Sequence, residues 1–254
     1  MRRCLPNKSH KTIRIGGSEI PKTFKLKRTI GESSILIKTD LFEAAEAAFR
    51  NIEKNRNDLK KYSIIHPEFF RALEPIKIRQ GAPEVVKRMS DAAEKAKVGP
   101  MAAVAGAIAD LAAEEMEQQE AKVIVVEDGG EASIRRSDKL DVAIYAGGAP
   151  VSGKLGFRIL QQDVPLGIGT SSATVGHAKS FGSADAATVI ACDAALADAA
   201  ATAVCNAVVG EDLNESVKKG LRVAQSIEGV RGALIIRGGS VGMVGHIPKL
   251  ISIK

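Results

Sequence analysis

Asp198 and Thr202 stand four residues apart in the Ala-rich stretch 193–202, so a helix there puts a carboxylate and a hydroxyl on one face. Set among alanines, that pair has the chemistry to hold a hard cation such as Mg2+. The cation would keep open positions for water or phosphate oxygens. The plainer account has Asp198 solvated or capping, and Thr202 bonded back to its own helix. A second segment, Gly169-Thr170-Ser171-Ser172-Ala173-Thr174-Val175-Gly176-His177, gathers four hydroxyls and an imidazole behind a strand. It could bind phosphate, orient a metal or form a Ser–His pair, although the GxSxG of a nucleophile elbow is absent. A third, Glu127-Asp128-Gly129-Gly130-Glu131, also follows a strand, and adjacent glycines let a ligand approach the backbone. A plain hairpin turn is the simpler account of it. His10, His66 and His246 are isolated and have no comparable context.

One motif is a false lead. Gly148 to Lys154 matches GxxxxGK, but Leu155 stands where Mg2+ ligation needs Ser or Thr. Residues 155–160 also read as a strand, not as the helix whose N-terminus receives phosphate. A Gly-rich turn is expected there.

The elements that must position these segments can be read from periodicity. Residues 12–38 read as strands, with Thr23 to Lys27 alternating and Ser34 to Lys38 apolar between turn residues. Asp40, with Glu43 three residues on, is expected to cap a helix. Leu41, Ala44, Ala45, Ala48, Phe49 and Ile52 give that helix an apolar face, and it runs to about Lys61. His66-Pro67 breaks the pattern, and Pro83 starts a second helix to about Lys97. Gly99-Pro100 precedes the Ala-dense run 101–119, where Gly106 allows a backbone or a ligand to come close. Strands are expected at 122–126, 142–145, 157–160, 164–168 and 187–191. An Ala-rich helix at 194–209 stops at Gly210, a natural C-cap. A helix at 213–227 and a hairpin of 232–237 with 241–246 around Gly238-Gly239 complete the chain. Strands and helices come in blocks without regular βαβ alternation, so the expected class is α+β.

Composition narrows the function. With 254 residues, 45 % hydrophobic and 26 % charged, the chain is neither disordered nor collagen-like. Aromatics are 4 % with no Trp, so Ala, Val, Ile and Leu must build the core. Cys4, Cys192 and Cys205 include no CxxC, which excludes a disulfide scaffold and a zinc ribbon. A cytoplasmic location is expected, with Cys192 and Cys205 as small core residues. No apolar h-region follows the charged N-terminus, and residues 98–113 are too short and too rich in Ala and Gly to span a bilayer. No membrane partner is expected. Residues 1–80 hold 18 Lys/Arg against 9 Asp/Glu, and the remainder 18 against 21. Nucleic acid is not the expected partner of that basic arm, since its first 28 residues offer only Phe24 for stacking. A solvated β-ribbon edge kept apart by Lys and Arg fits better.

Taken in order, the segments resemble the ApbE superfamily, and more closely the ApbE-like branch found in archaea and anaerobic bacteria. Val98 to Gly106, Pro165 to His177 and Leu196 to Asn206 carry the resemblance. Toward the branch it covers most of the chain; toward the characterised ApbE enzymes it runs from about 98 to 210. It implies one ApbE-like domain over residues 1–254, with a basic β segment at 1–38. The fold implied is T-fold-related, with mixed sheets packed by Ala-rich helices. It also implies FAD and Mg2+ as cofactors, cleavage of the FAD pyrophosphate, and transfer of FMN to a Thr of a target flavoprotein. Asp198 and Thr202 match the metal-binding Asp and Thr, and a main-chain carbonyl within Ala102 to Val104 matches the third ligand. Asp128, Gly129, Gly130 and Glu131 match the ligand-side turn. Thr170, Ser171 and Ser172 fall in the cofactor loop, and His177 matches the family's His. Three departures stand out. Ala105 replaces a Lys, Lys179 and Ser180 replace Asp-Pro, and the N-terminal region that cups adenine and flavin is not recognisable. The expected ligand is a nucleotide or flavin, and the oligomeric state stays open. The alternatives are a flavin- or nucleotide-binding module without turnover, or a sulfur-assimilation component working with partner proteins in homocysteine formation. In the latter case Cys192 or Cys205 would carry sulfur.

Overall fold

Gly31, at φ +62°, lets strand β1 (Phe24–Ile30) turn straight back along β2 (Ser33–Thr39). This computed structural model describes residues 22–174 and 181–253. After β2 come α1 (Phe42–Ile65), the single turn α2 (Pro67–Arg71) and α3 (Glu84–Ala96). A 3-10 turn at Pro100–Ala103 then leads directly into α4 (Val104–Gln118). The breaks at His66-Pro67 and Gly99-Pro100 fall where the proline signals place them. Asp40, however, does not cap α1. Its carboxylate accepts the N–H groups of Lys122 and Val123, both at 2.8 Å, and ties the start of α1 to the strand that follows α4. Thr39 Oγ1 takes the Leu41 N–H instead.

Strands β3 (Ile124–Asp128) and β4 (Glu131–Arg136) form a hairpin whose turn is Gly129-Gly130, both at positive φ. β5 (Lys139–Ala143) and β6 (Leu155–Leu160) follow, then β7 (Leu166–Ser171) and β8 (Ala186–Ala191). The Gly148–Lys154 segment is a turn that enters strand β6, as expected. Helices α5 (Ala194–Ala207) and α6 (Leu213–Ser226) lead to β9 (Val230–Arg237), β10 (Ser240–Gly245) and β11 (Lys249–Ser252). The class is α+β. Eight strands form one antiparallel sheet, in the order β1-β2-β3-β4-β7-β8-β9-β10. A second antiparallel sheet is β11-β6-β5.

The large sheet has helices on one face and the small sheet on the other, so period-2 alternation divides its side chains between two cores. On the helix side Ile35, Ile37, Val126 and Val189 meet α1, α4 and α5. On the other side Ile134, Ile168, Ile190 and Leu234 meet Phe157 and Ile159 of the small sheet. Along β7 the helix-side positions are Gly167 and Gly169. A Cβ there would lie 2.1 Å from Asp193 and 2.4 Å from Ala197 backbone atoms, so α5 rests directly on the strand. Gly106 is pressed equally hard, since its Cβ would lie 2.1 Å from the Ala194 carbonyl. Small residues therefore let α4 cross α5, and α5 sit on the sheet, at backbone distance. No single helix among the described residues is long and apolar enough to cross a membrane.

Candidate functional site

The close crossing of α4 and α5 places an acid of each helix at the first turn of the other. Asp198 Oδ2 on α5 accepts the Gly106 N–H of α4 at 3.0 Å, and the Ala105 N–H adds to it. Asp110 on α4 accepts the Ala195 N–H of α5 at 2.9 Å and the Ser133 hydroxyl at 2.7 Å. Carboxylates at helix N-termini are favoured by the unpaired N–H groups and the helix dipole. Asp193 caps α5 by accepting the Leu196 N–H at 2.8 Å. Asp110 and Ser133 carried no motif, and only the fold brings them to this junction.

Three acids converge on the helix side of the sheet, at the ends of β3 and β4. Asp128 closes β3, Glu131 opens β4, and Asp198 reaches down from α5. Burial is the main reason that all three resist ionisation. Asp198 is pushed up to about 7, with the charges of Asp128 and Asp110 adding to burial and the α4 N–H groups opposing it. Glu131 is raised well above the ordinary carboxylate range by burial, then by Asp198 and Asp128. Asp128 is raised by burial, against a hydrogen bond to Ser33 and the nearby Arg56 guanidinium. Thr202 lies one helical turn beyond Asp198 and is partly buried. An opposite charge brought beside these acids would favour their ionised form, so a cation is the partner that the cluster suits. No three His, Cys, Asp or Glu side chains among the described residues are close enough to hold a metal ion by themselves. A cation here would need hydroxyl, main-chain, water or ligand oxygens as well, the usual habit of Mg2+.

Not every expected residue meets this cluster. Ser171 continues the helix-side alternation of Gly167 and Gly169. Thr170 points the other way, and its hydroxyl pairs with that of Thr188 at 3.0 Å on the small-sheet face. Its backbone N–H still faces the Glu131 carboxylate. Ser172 Oγ accepts the Thr174 N–H at 3.1 Å, shaping the loop. His177 lies outside the described residues. Cys205 is buried, as expected, but Cys192 is exposed, because it lies past the end of β8 where the chain turns into α5. Its thiol donates to Asp193 Oδ2 at 3.2 Å, and partial burial with that bond holds its pKa up.

A cavity of about 790 Å³ opens beside the acids, and Asp128 and Ala105 are part of its wall. Ligand pockets of this kind run to roughly 300–1,000 Å³. N-terminal elements make most of its wall. The β1–β2 turn, one face of α1, α2 and the entry to α4 surround it. Arg56 of α1 fastens the turn, bonding Ser33 Oγ and Glu32 Oε1, each at 2.9 Å. The cavity escaped sequence reading because its wall is drawn from segments between residues 30 and 128.

Solved structures share this fold. A variant of the flavin transferase ApbE from Vibrio cholerae matches 88 % of this chain and 97 % of its own, with TM-score 0.59 and 12 % identity. The ApbE protein of Thermotoga maritima matches 87 % and 96 %, with TM-score 0.58 and 13 % identity. The chain therefore has the ApbE fold. A family model described as AbpE bacteria matches residues 18–240, and the chain belongs to that family. A UPF0280 protein of Methanocaldococcus jannaschii is 40 % identical over 230 residues, 90 % of this chain and 93 % of the relative. One from Methanopyrus kandleri is 40 % identical over 234 residues, 91 % and 94 %.

Proposed function

We propose that this protein binds FAD with Mg2+ at the Asp128–Glu131–Asp198 cluster and splits the pyrophosphate, moving FMN to a hydroxyl of a target flavoprotein. The supporting observation is that Asp128, one of three clustered acids with raised pKa values, lines a nucleotide-sized cavity. The likeness to flavin transferases in fold supports the ligand class.

The donor set fits the metal. Asp198 and Thr202 would hold it, with Glu131 adding charge, and the remaining positions stay open for water and phosphate oxygens. When bound, Mg2+ supplies charge neutralisation and Lewis-acid polarisation of the pyrophosphate. The protein's own part is positioning. Gly129 and Gly130 let the ligand approach the β3–β4 turn without side chains in the way. The α4 first turn fixes the Asp198 carboxylate. His177 is the residue proposed to take the proton from the attacking hydroxyl.

The test is a titration of FAD with and without Mg2+, followed by chromatography. Mg2+-dependent binding with AMP and FMN as products supports the proposal when a hydroxyl acceptor is absent and water serves instead. Binding without products, even with a flavoprotein acceptor, removes catalysis. Absence of binding removes the flavin assignment.

A further inference from the structure

Helix α1 runs along one wall of the cavity beside the acids. Arg56, Lys60, Ser63 and Ile64 follow one another at helical spacing, so a single face of the helix presents them to the same space. Arg56 lies toward the acids, since its guanidinium acts on Asp128. Ser63 is seven residues further on, about 10 Å along the helix axis. The two ends of the cavity therefore differ. One end has Asp128, Arg56 and the β1–β2 turn. Toward the other, the wall is Leu59 and Ile64 of α1, Phe70 of α2, and Met101 of the 3-10 turn that packs on α2. Phe70 is 60 % exposed there, with no protein cover over most of its surface.

Ser63 stands among these apolar side chains with an unmet hydrogen-bonding group. Its Oγ is buried and has no partner among the described residues. A serine inside a helix ordinarily bonds back to the carbonyl one turn before it, which here belongs to Leu59. Ser63 does not. Folding disfavours such a state, because the hydroxyl has lost water and gained nothing in exchange. Among the described residues that are not exposed, it is the only buried side-chain N or O left this way. On the wall of a ligand-sized cavity, the partner that remains for it is a ligand atom.

We propose that Ser63 is a specificity-determining residue of this cavity. Its hydroxyl hydrogen-bonds the polar edge of a flat heteroaromatic ring held against Leu59, Ile64 and Phe70, while the ligand's phosphates lie toward Asp128. Apolar walls accept any flat ring. A hydrocarbon ring, however, leaves the hydroxyl unmet, whereas a ring nitrogen, carbonyl or amino group satisfies it, since Ser both donates and accepts. Purine and isoalloxazine rings both carry such edges. The inference rests on the flavin-nucleotide proposal for the identity of the ligand, and on the cavity and the unpaired hydroxyl for the role of Ser63.

The experiment compares the wild type with Ser63→Ala, first by thermal melt without ligand, then by titration of FAD with Mg2+, of riboflavin and of adenosine. The substitution removes a group that the ligand-free protein leaves unsatisfied, so the melt should be equal or higher. FAD affinity should fall by about 3- to 10-fold, the loss of one hydrogen bond. The ring that meets Ser63 is identified by which of riboflavin and adenosine weakens with FAD. A hydroxyl with a purely structural role would show the reverse, a lower melt with unchanged affinity. A lower melt, or an FAD affinity that does not change, overturns the role of Ser63 and leaves the flavin proposal standing. Adenosine binding that depends on Ser63, in a protein that binds neither FAD nor riboflavin, overturns the flavin proposal and supports this one. A wild type that binds none of the three overturns both.

Discussion

The two faces of the eight-stranded sheet are made by the same strands and have opposite chemistry. Toward the small sheet, β4, β7, β8 and β9 present Ile134, Ile168, Ile190, Leu234 and Ile236, packed on Phe157 and Ile159. Toward the helices, the same β4 and β7 present Glu131, Ser133, Gly167 and Gly169. The first face is a conventional apolar core. The second gives up side-chain volume so that α5 can reach the strand backbone. In the space so made it holds Asp110, Asp128, Glu131 and Asp198, all with raised pKa values. Stability and the candidate chemistry are thus separated by one residue of register: shifting a strand by one would exchange them.

Substitutions on the two faces should therefore fail in different ways. Asp198→Asn keeps an oxygen for the Gly106 N–H but removes the charge. Mg2+-dependent FAD affinity, read by fluorescence titration, is expected to fall by about 100-fold or more, with the melt nearly unchanged. Retained affinity would break the distinction between the faces. Phe157→Ala should do the reverse, lowering stability by about 3–5 kcal/mol in urea melts while Mg2+-dependent binding survives below the midpoint. Gly169→Ala sits between the two. Its Cβ collides with the Ala197 backbone, so a loss of about 1–3 kcal/mol is expected, together with weaker binding as α5 lifts Asp198.

A smaller effect follows from pH. Asp198 at about 7, and Glu131, Asp128 and Asp110 raised beside it, hold protons in the folded chain that the unfolded chain releases. For acids with raised pKa the folded state binds more protons, so stability should fall as pH climbs from about 4 through neutrality. Calorimetry should show that fall in the metal-free protein and a reduced fall with Mg2+. A melt that rises over this range would show that the acid cluster is neutralised internally. The smallest effect belongs to Cys192→Ser. The thiol is exposed and donates to the adjacent Asp193, so a change within about 0.5 kcal/mol is expected, with unaltered FAD binding.

The sequence by itself determined the elements and part of the site. The breaks at His66-Pro67 and Gly99-Pro100, the Gly129-Gly130 turn, the Ala-rich α5 and the Gly238-Gly239 hairpin all follow from φ preferences and local periodicity. So does the sharing of one helix face by Asp198 and Thr202. Local rules misplaced Asp40 because its best N–H partners, Lys122 and Val123, are more than 80 residues away. They misplaced Cys192 because burial depends on what packs above a residue, not on its type. Tertiary structure decided the rest. It exchanged Asp110 and Asp198 between helices, turned the Thr170 hydroxyl to the far face, and built the cavity from α1 and the β1–β2 turn. Each depends on contacts between segments distant in the chain, where packing at backbone distance fixes which groups meet and how far burial suppresses their charge.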